Sequence, residues 1–164
     1  MRRPLALAAV LALTASAALA DPVTVELKTG AGASAGKATL TEAPKGVLLK
    51  VEAKGLAPGW HGLHFHEKAD CSKADFTSAG AHTHGSEKAV HGLLNAAANE
   101  TGDLPNIYAG ADGAGNAEVF TSLTTLKALK DADGSALVIH ANPDDHMAQP
   151  IGGAGPRVAC GEIK

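Results

Sequence analysis

Eight histidines in a chain of 164 residues are the first chemical signal, because imidazole is the commonest metal ligand and titrates near neutrality. They are clustered: His61, His64 and His66 fall close together, then His82, His84 and His91, then His140 and His146. His64 and His66 flank Phe65 in a strand-like run. Residues i and i+2 of a strand share a face, so both rings can converge on one ion. Alone, an H-x-H pair is as often a surface feature as a ligand pair. Its weight here comes from the neighbours: His82, His84 and His91 in a long loop, and His140 at the end of a candidate strand. Three or more imidazoles with no thiolate or thioether beside them suit Cu(II), Zn(II) or Ni(II) better than Mg(II) or Ca(II). His61 has the wrong parity for the face of His64 and is expected to hold backbone near the site. His146, beside Asp144 and Asp145, is expected to be a solvated loop residue.

The elements that must position these rings read as strands. Val23, Val25 and Leu27 alternate with Thr24, Glu26 and Lys28, and Leu49, Val51 and Ala53 alternate with Lys50, Glu52 and Lys54, the period-two pattern of half-buried strands. Further candidates span residues 36–42, 62–66, 116–121, 136–140 and 157–162, with turns at Gly30-Ala31-Gly32 and Asp112-Gly113. Residues 123–130 are the only candidate for a helical turn. Short strands punctuated by turns, with 19 glycines and 3% aromatics, point to an all-β antiparallel sandwich or barrel in a single domain. Two segments, 67–107 and 141–156, exceed the length of ordinary connections, and loops of that size usually carry function. Both contain histidines.

Residues 1–20 read as a cleaved secretory leader: Arg2 and Arg3, an apolar run too short to span a bilayer, then Ala18-Leu19-Ala20. A mature domain of residues 21–164 would carry 12 basic and 17 acidic residues. The absence of a basic run speaks against nucleic acid as a partner, and after leader cleavage no membrane partner is expected. The leader places the chain in a bacterial periplasm or outside the cell. In an oxidising compartment the two cysteines, Cys71 and Cys160, read as one disulfide. A thiolate metal pair or two free thiols are the alternatives, but neither cysteine has close C-x-x-C spacing. Closing an 89-residue loop would contribute at most about 4–5 kcal/mol.

Five blocks, in order, carry a resemblance to copper/zinc superoxide dismutases. They are Gly59-Trp60-His61-Gly62-Leu63-His64-Phe65-His66-Glu67, Ser78-Ala79-Gly80-Ala81-His82, Gly102-Asp103-Leu104-Pro105-Asn106, Val138-Ile139-His140 and Gly152-Gly153-Ala154-Gly155-Pro156-Arg157-Val158-Ala159-Cys160-Gly161. The resemblance implies an eight-stranded Greek-key sandwich or flattened barrel, an architecture shared by this family. It implies copper on His64, His66, His82 and His140, with His82 bridging to zinc on His91 and Asp103. Asp144 matches the carboxylate that links a copper-ligand histidine to a zinc-ligand histidine, here His64 and His91. Cys71 and Cys160 match the family's disulfide, and Arg157 the arginine that guides the anionic substrate.

The chain departs from the family at one position: where a third zinc histidine is usual stands Glu100. Glu100 as a zinc ligand is the favoured reading, since Zn–O bonds to carboxylates are ordinary. His84 as a substitute and a copper-only enzyme are the alternatives. The activity implied is dismutation of superoxide to dioxygen and hydrogen peroxide by Cu(II)/Cu(I) cycling, with His82 delivering one proton and Arg157 drawing the anion toward a net-negative protein. A periplasmic copper- or zinc-binding buffer or chaperone is the competing function. It would need neither Arg157 nor an open copper position. A homodimer is the partner a sandwich face could provide.

Overall fold

The computed structural model describes residues 21–85 and 88–164; the expected leader lies outside them. Among the described residues, nine strands form one antiparallel sheet: β1 Val23–Lys28, β2 Ser34–Ala43, β3 Gly46–Ala53, β4 Gly59–His61, β5 Leu63–His66, β6 Ile107–Ala109, β7 Gly115–Thr121, β8 Ser135–His140 and β9 Arg157–Ile163. The hydrogen-bonded order is β4-β6-β7-β3-β2-β1-β9-β8-β5. Its two ends, β4 and β5, are consecutive in the chain, so the sheet curls into a nearly closed barrel. β5 pairs with β8, β4 with β6 and β6 with β7, so, with β4 and β5 counted as one interrupted strand, β8 returns beside the strand that opens the β4–β7 run, which is the Greek-key order.

The count of nine, against the eight expected, comes from Gly62. Its amide donates to the Asn142 carbonyl at 2.8 Å and its carbonyl accepts from the His140 amide at 2.9 Å, which takes it out of both ladders. A Cβ there would lie 2.9 Å from the Ala154 Cβ and 3.3 Å from the His64 ring, so only glycine lets the chain cross between the two sheet edges. One strand thereby becomes β4 and β5. The three-residue β6 was not expected, and the candidate helical turn is realised as the short helix α1, Leu126–Leu129, capped by Thr125 Oγ1 accepting from the Ala128 amide at 3.1 Å.

Alternation decides what lies inside the barrel. Leu63 and Phe65 of β5 pair with Ile139 and Leu137 of β8, and all four belong to the central apolar cluster with Leu27, Leu40, Leu49, Val51 and Ile163. The alternate residues, His64, His66, Ala136, Val138 and His140, face the other way, yet every residue of β5 and β8 is buried. Their cover is the loop that follows β5: Phe76 and Ala79 pack on Ala136, Val138 and Cys160, with Cys71 alongside. Cys71 and Cys160 are joined in a disulfide, Cα–Cα 5.9 Å. It ties the long loop to β9. The histidines therefore sit on the outer wall of the barrel, roofed by loops.

Candidate metal centre

The register of the barrel wall delivers three of the rings. His64 lies opposite Val138 and His66 opposite Ala136, while His140 ends the same outer row of β8. The covering loops are pinned at the functional residues themselves: isolated bridges join His66 to His82, His64 to Asp103 and His84 to Glu100. Thr83 donates its amide to the Phe65 carbonyl and Phe65 its amide to the Gly102 carbonyl, both at 2.9 Å. The loops are thus extra, irregular strands laid along β5.

His64, His66, His82 and His140 are all buried, and their ligand atoms lie within 4.8 Å of one another. The partners of each ring fix which nitrogen is left to face the others. His66 Nδ1 donates to the Gly80 carbonyl at 3.0 Å and His140 Nδ1 to the Gly155 carbonyl at 3.0 Å. His64 Nε2 is 2.7 Å from Asp144 Oδ2, and His82 Nδ1 is 2.8 Å from Glu100 Oε2. His64 Nδ1 and His82 Nε2 are left buried without a partner. His66 Nε2 faces His140 Nε2 at 3.4 Å. Burial, with the neighbouring imidazoles, pushes the pKa of His64 down to about 4, His66 to about 2 and His140 to about 3. Burial opposes a charged His82, but Asp103 and Glu100 raise its pKa. The other three rings, neutral and with lone pairs converging beside it, fit a transition-metal ion, and an all-imidazole set suits copper.

A second donor group lies on the far side of His82. His64, His82, His91 and Asp103 offer atoms within 4.8 Å of one another, but His64 is already committed to Asp144. The Glu100 carboxylate adds a further oxygen donor beside this group. Glu100 Oε2 is 2.8 Å from His82 Nδ1 and 2.9 Å from His91 Nδ1, and Asp103 Oδ1 is 3.5 and 2.9 Å from the same two atoms. Tetrahedral zinc with bonds of about 2.0–2.1 Å spaces its donors about 3.3 Å apart. Asp103 Oδ1 has no hydrogen-bond partner despite that proximity, the geometry of ligands aimed at a common centre. Burial opposes a charged His91, but Asp103, Asp144 and Glu100 outweigh it and raise its pKa to about 11. Burial likewise opposes the Asp103 carboxylate, yet His82 and His91 hold it well below the usual range.

Asp144 joins the two groups. Its Oδ2 meets His64 Nε2 at 2.7 Å and its Oδ1 meets His91 Nε2 at 3.0 Å. His61 holds backbone, with Nδ1 2.7 Å from the His140 carbonyl and Nε2 2.8 Å from that of Ala57. Arg157, at the start of β9, donates from Nη2 to the Gly80 carbonyl at 2.6 Å and from Nη1 to that of Phe76. The Gly80 carbonyl is also the partner of His66, so the guanidinium stands beside the imidazole quartet. It lines an open depression with Asp75, Thr77, Gly155 and Pro156. His84 is turned away, exposed, with Nε2 3.9 Å from Glu67 Oε2. His146 is not the solvated loop residue expected: its side chain is only 20% exposed and lies 3.4 Å from Asp144 Oδ2.

A Greek-key barrel bearing two adjacent donor groups, both containing His82, is the scaffold of a protein built to hold a pair of transition-metal ions. The description "Copper/zinc superoxide dismutase (SODC)" matches residues 34–163. A "Superoxide dismutase [Cu-Zn]" of Caulobacter vibrioides is 63% identical over 147 residues, covering 86% of this chain and 84% of the relative. A "Superoxide dismutase [Cu-Zn] 2" of Aquifex aeolicus is 42% identical, covering 85% of this chain and 84% of that one. The solved structure of the Brucella abortus Cu/Zn superoxide dismutase superposes with a TM-score of 0.74 at 30% identity, covering 88% of this chain and all of that one. This chain belongs to the copper/zinc superoxide dismutase family, the enzymes that dismutate superoxide with copper and zinc.

Proposed function

We propose that this chain dismutates superoxide with copper held by His64, His66, His82 and His140 and zinc held by His82, His91, Asp103 and Glu100. The observation that carries it is the orientation of His82: Nδ1 is engaged by Glu100 while Nε2 is buried, unpartnered and turned to the copper-side rings. Copper bound there would supply a one-electron Cu(II)/Cu(I) couple able both to oxidise and to reduce superoxide, a redox step zinc lacks. Arg157 draws the anion to the depression it lines and holds it beside the quartet; its fixed hydrogen bonds to Phe76 and Gly80 mean little reorganisation on binding. His82 would carry one of the two protons the product needs, on Nε2, with solvent water giving the second, while Glu100 and Asp103 keep the ring in register through Nδ1. Asp144 sets the tautomers of His64 and His91 together.

The residues fit zinc as well as copper, and Glu100 is the test of the zinc set. Glu100→Gln removes the charge at nearly constant shape and is expected to weaken zinc binding at least about tenfold, measured by chelator competition. Unchanged zinc affinity would remove Glu100 from the set. Superoxide consumption assayed beside metal quantification separates the enzyme from a copper or zinc buffer: metal bound without turnover would sink the dismutase reading. Family membership and Arg157 beside the quartet favour turnover.

The leader reading, residues 1–20, supports export to a periplasm or beyond; an intact mass for the mature protein beginning at Asp21 is the expected result. Among the described residues no helix is long and apolar enough to cross a membrane. For a homodimer, the surface on offer is Trp60 and Tyr108, both more than half exposed and packed edge to face across β4 and β6. Sedimentation equilibrium checks it.

A further inference from the structure

Asp144 is more heavily supported than a carboxylate bridging two imidazoles requires. Asn106 clasps its backbone from both sides: Asn106 Oδ1 accepts from the Asp144 amide at 2.9 Å, and Asn106 Nδ2 donates to the Asp144 carbonyl at 2.8 Å. The same Nδ2 lies 3.3 Å from His146 Nε2. An amide nitrogen only donates, so His146 Nε2 is the acceptor and the ring proton belongs on Nδ1. That nitrogen lies 3.4 Å from Asp144 Oδ2, the oxygen that also receives His64 Nε2, in contact but without hydrogen-bond alignment, and it is buried with no other partner. The backbone of His146 is committed too. Its amide donates to Asp144 Oδ1 at 2.6 Å and its carbonyl accepts from the Leu94 amide at 3.1 Å. It does so with φ at 60°, a left-handed conformation that costs a residue with a Cβ about 1 kcal/mol or more.

We propose that His146 is a positioning residue for the metal pair: its imidazole, oriented by Asn106 and packed against Oδ2, restrains the rotation of the Asp144 carboxylate that serves His64 and His91 together. The proposal rests on the reading of Asp144 as the link between the copper and zinc sets. Asp144 then meets three imidazoles, with His146 the one on neither metal. The His146 ring abuts Oδ2 at 3.4 Å, and its amide fixes Oδ1 at 2.6 Å. The two oxygens differ in their duties, one to each metal set, so a small rotation of the carboxylate would strengthen one link at the expense of the other.

Two variants separate ring from backbone. His146→Gly and His146→Asn both tolerate the left-handed conformation, so the amide stays on Asp144 Oδ1 while the imidazole is lost. In protein loaded with copper and zinc, both are expected to shift the Cu(II) EPR hyperfine coupling and to weaken zinc binding about tenfold. The melting temperature of the metal-free variants should stay level or rise. Wild-type EPR parameters and zinc affinity in both variants would overturn the proposal. A loss of zinc matched by a fall in the metal-free melting temperature would also overturn it, since that marks a purely structural role. Asp144→Asn is the companion: wild-type spectra there would sink the linking role itself, whereas a shift there with silent His146 variants would sink only the proposal.

Discussion

In the proposed function, Arg157 is the group that brings an anion to a protein with more acidic than basic residues. Burial lowers its pKa from the ordinary value, yet a guanidinium stays charged at any physiological pH. Arg157→Glu reverses that charge beside the quartet. The expected outcome is a fall in kcat/KM of at least about tenfold at low ionic strength, and a rate that rises with salt where the native rate falls. Pulse radiolysis at two salt concentrations measures both. At this scale the sequence was most legible where a residue's type and its place in a block agreed, as for His64, His66, His82, His140 and Arg157. His146 was misread because its position depends on a left-handed backbone that no pattern of residue types announces. Glu100 stood out as a departure, and the structure places its carboxylate between His82 and His91.

Between residues and molecule stand the loops, and their tolerance is set by glycines packed against the site. Gly152 has φ of 59°, and a Cβ there would overlap Asp144 Oδ1 and come within 2.9 Å of His91 Nε2. Gly152→Ala therefore displaces the linking carboxylate. Zinc affinity should drop roughly tenfold or more, with bound zinc measured by chelator competition. The strands were legible wherever one face met water, as the alternation of β1 and β3 shows. β8 is buried along its whole length, since one face fills the barrel and the other lies under Phe76 and Ala79, so its run is continuous and not alternating. The split of β4 from β5 was not legible, because Gly62 acts through contacts with Asn142 and His140 that are distant in sequence.

For the molecule as a whole, the site sets how stability depends on pH. In the metal-free protein, His64, His66 and His140 have pKa values of about 4, 2 and 3, below the ordinary 6.5. As pH falls below 6.5, the unfolded chain takes up protons that these folded rings refuse, and stability is lost toward pH 4. His91 works in the opposite sense: its pKa of about 11 means the folded form keeps a proton that the unfolded chain releases above pH 6.5. Stability contributed by His91 is lost as pH climbs toward 11. The melting temperature of metal-free protein should therefore peak near neutrality and fall by several degrees at about pH 4.5 and about pH 9. Calorimetry at the three values checks it, and a profile rising steadily from acid to alkali would contradict it.

The pairing of β5 with β8 has one more consequence, for what places the copper-side rings. That single ladder, once zipped in register, already presents His64, His66 and His140 on one patch of wall; a slip by one residue would drive Leu63 and Phe65 outward and imidazoles into oil. Only His82 arrives on a separate arm of chain. Strand register alone therefore places three of the four rings, and the fourth depends on how one loop is pinned along β5 by its bridge to His66.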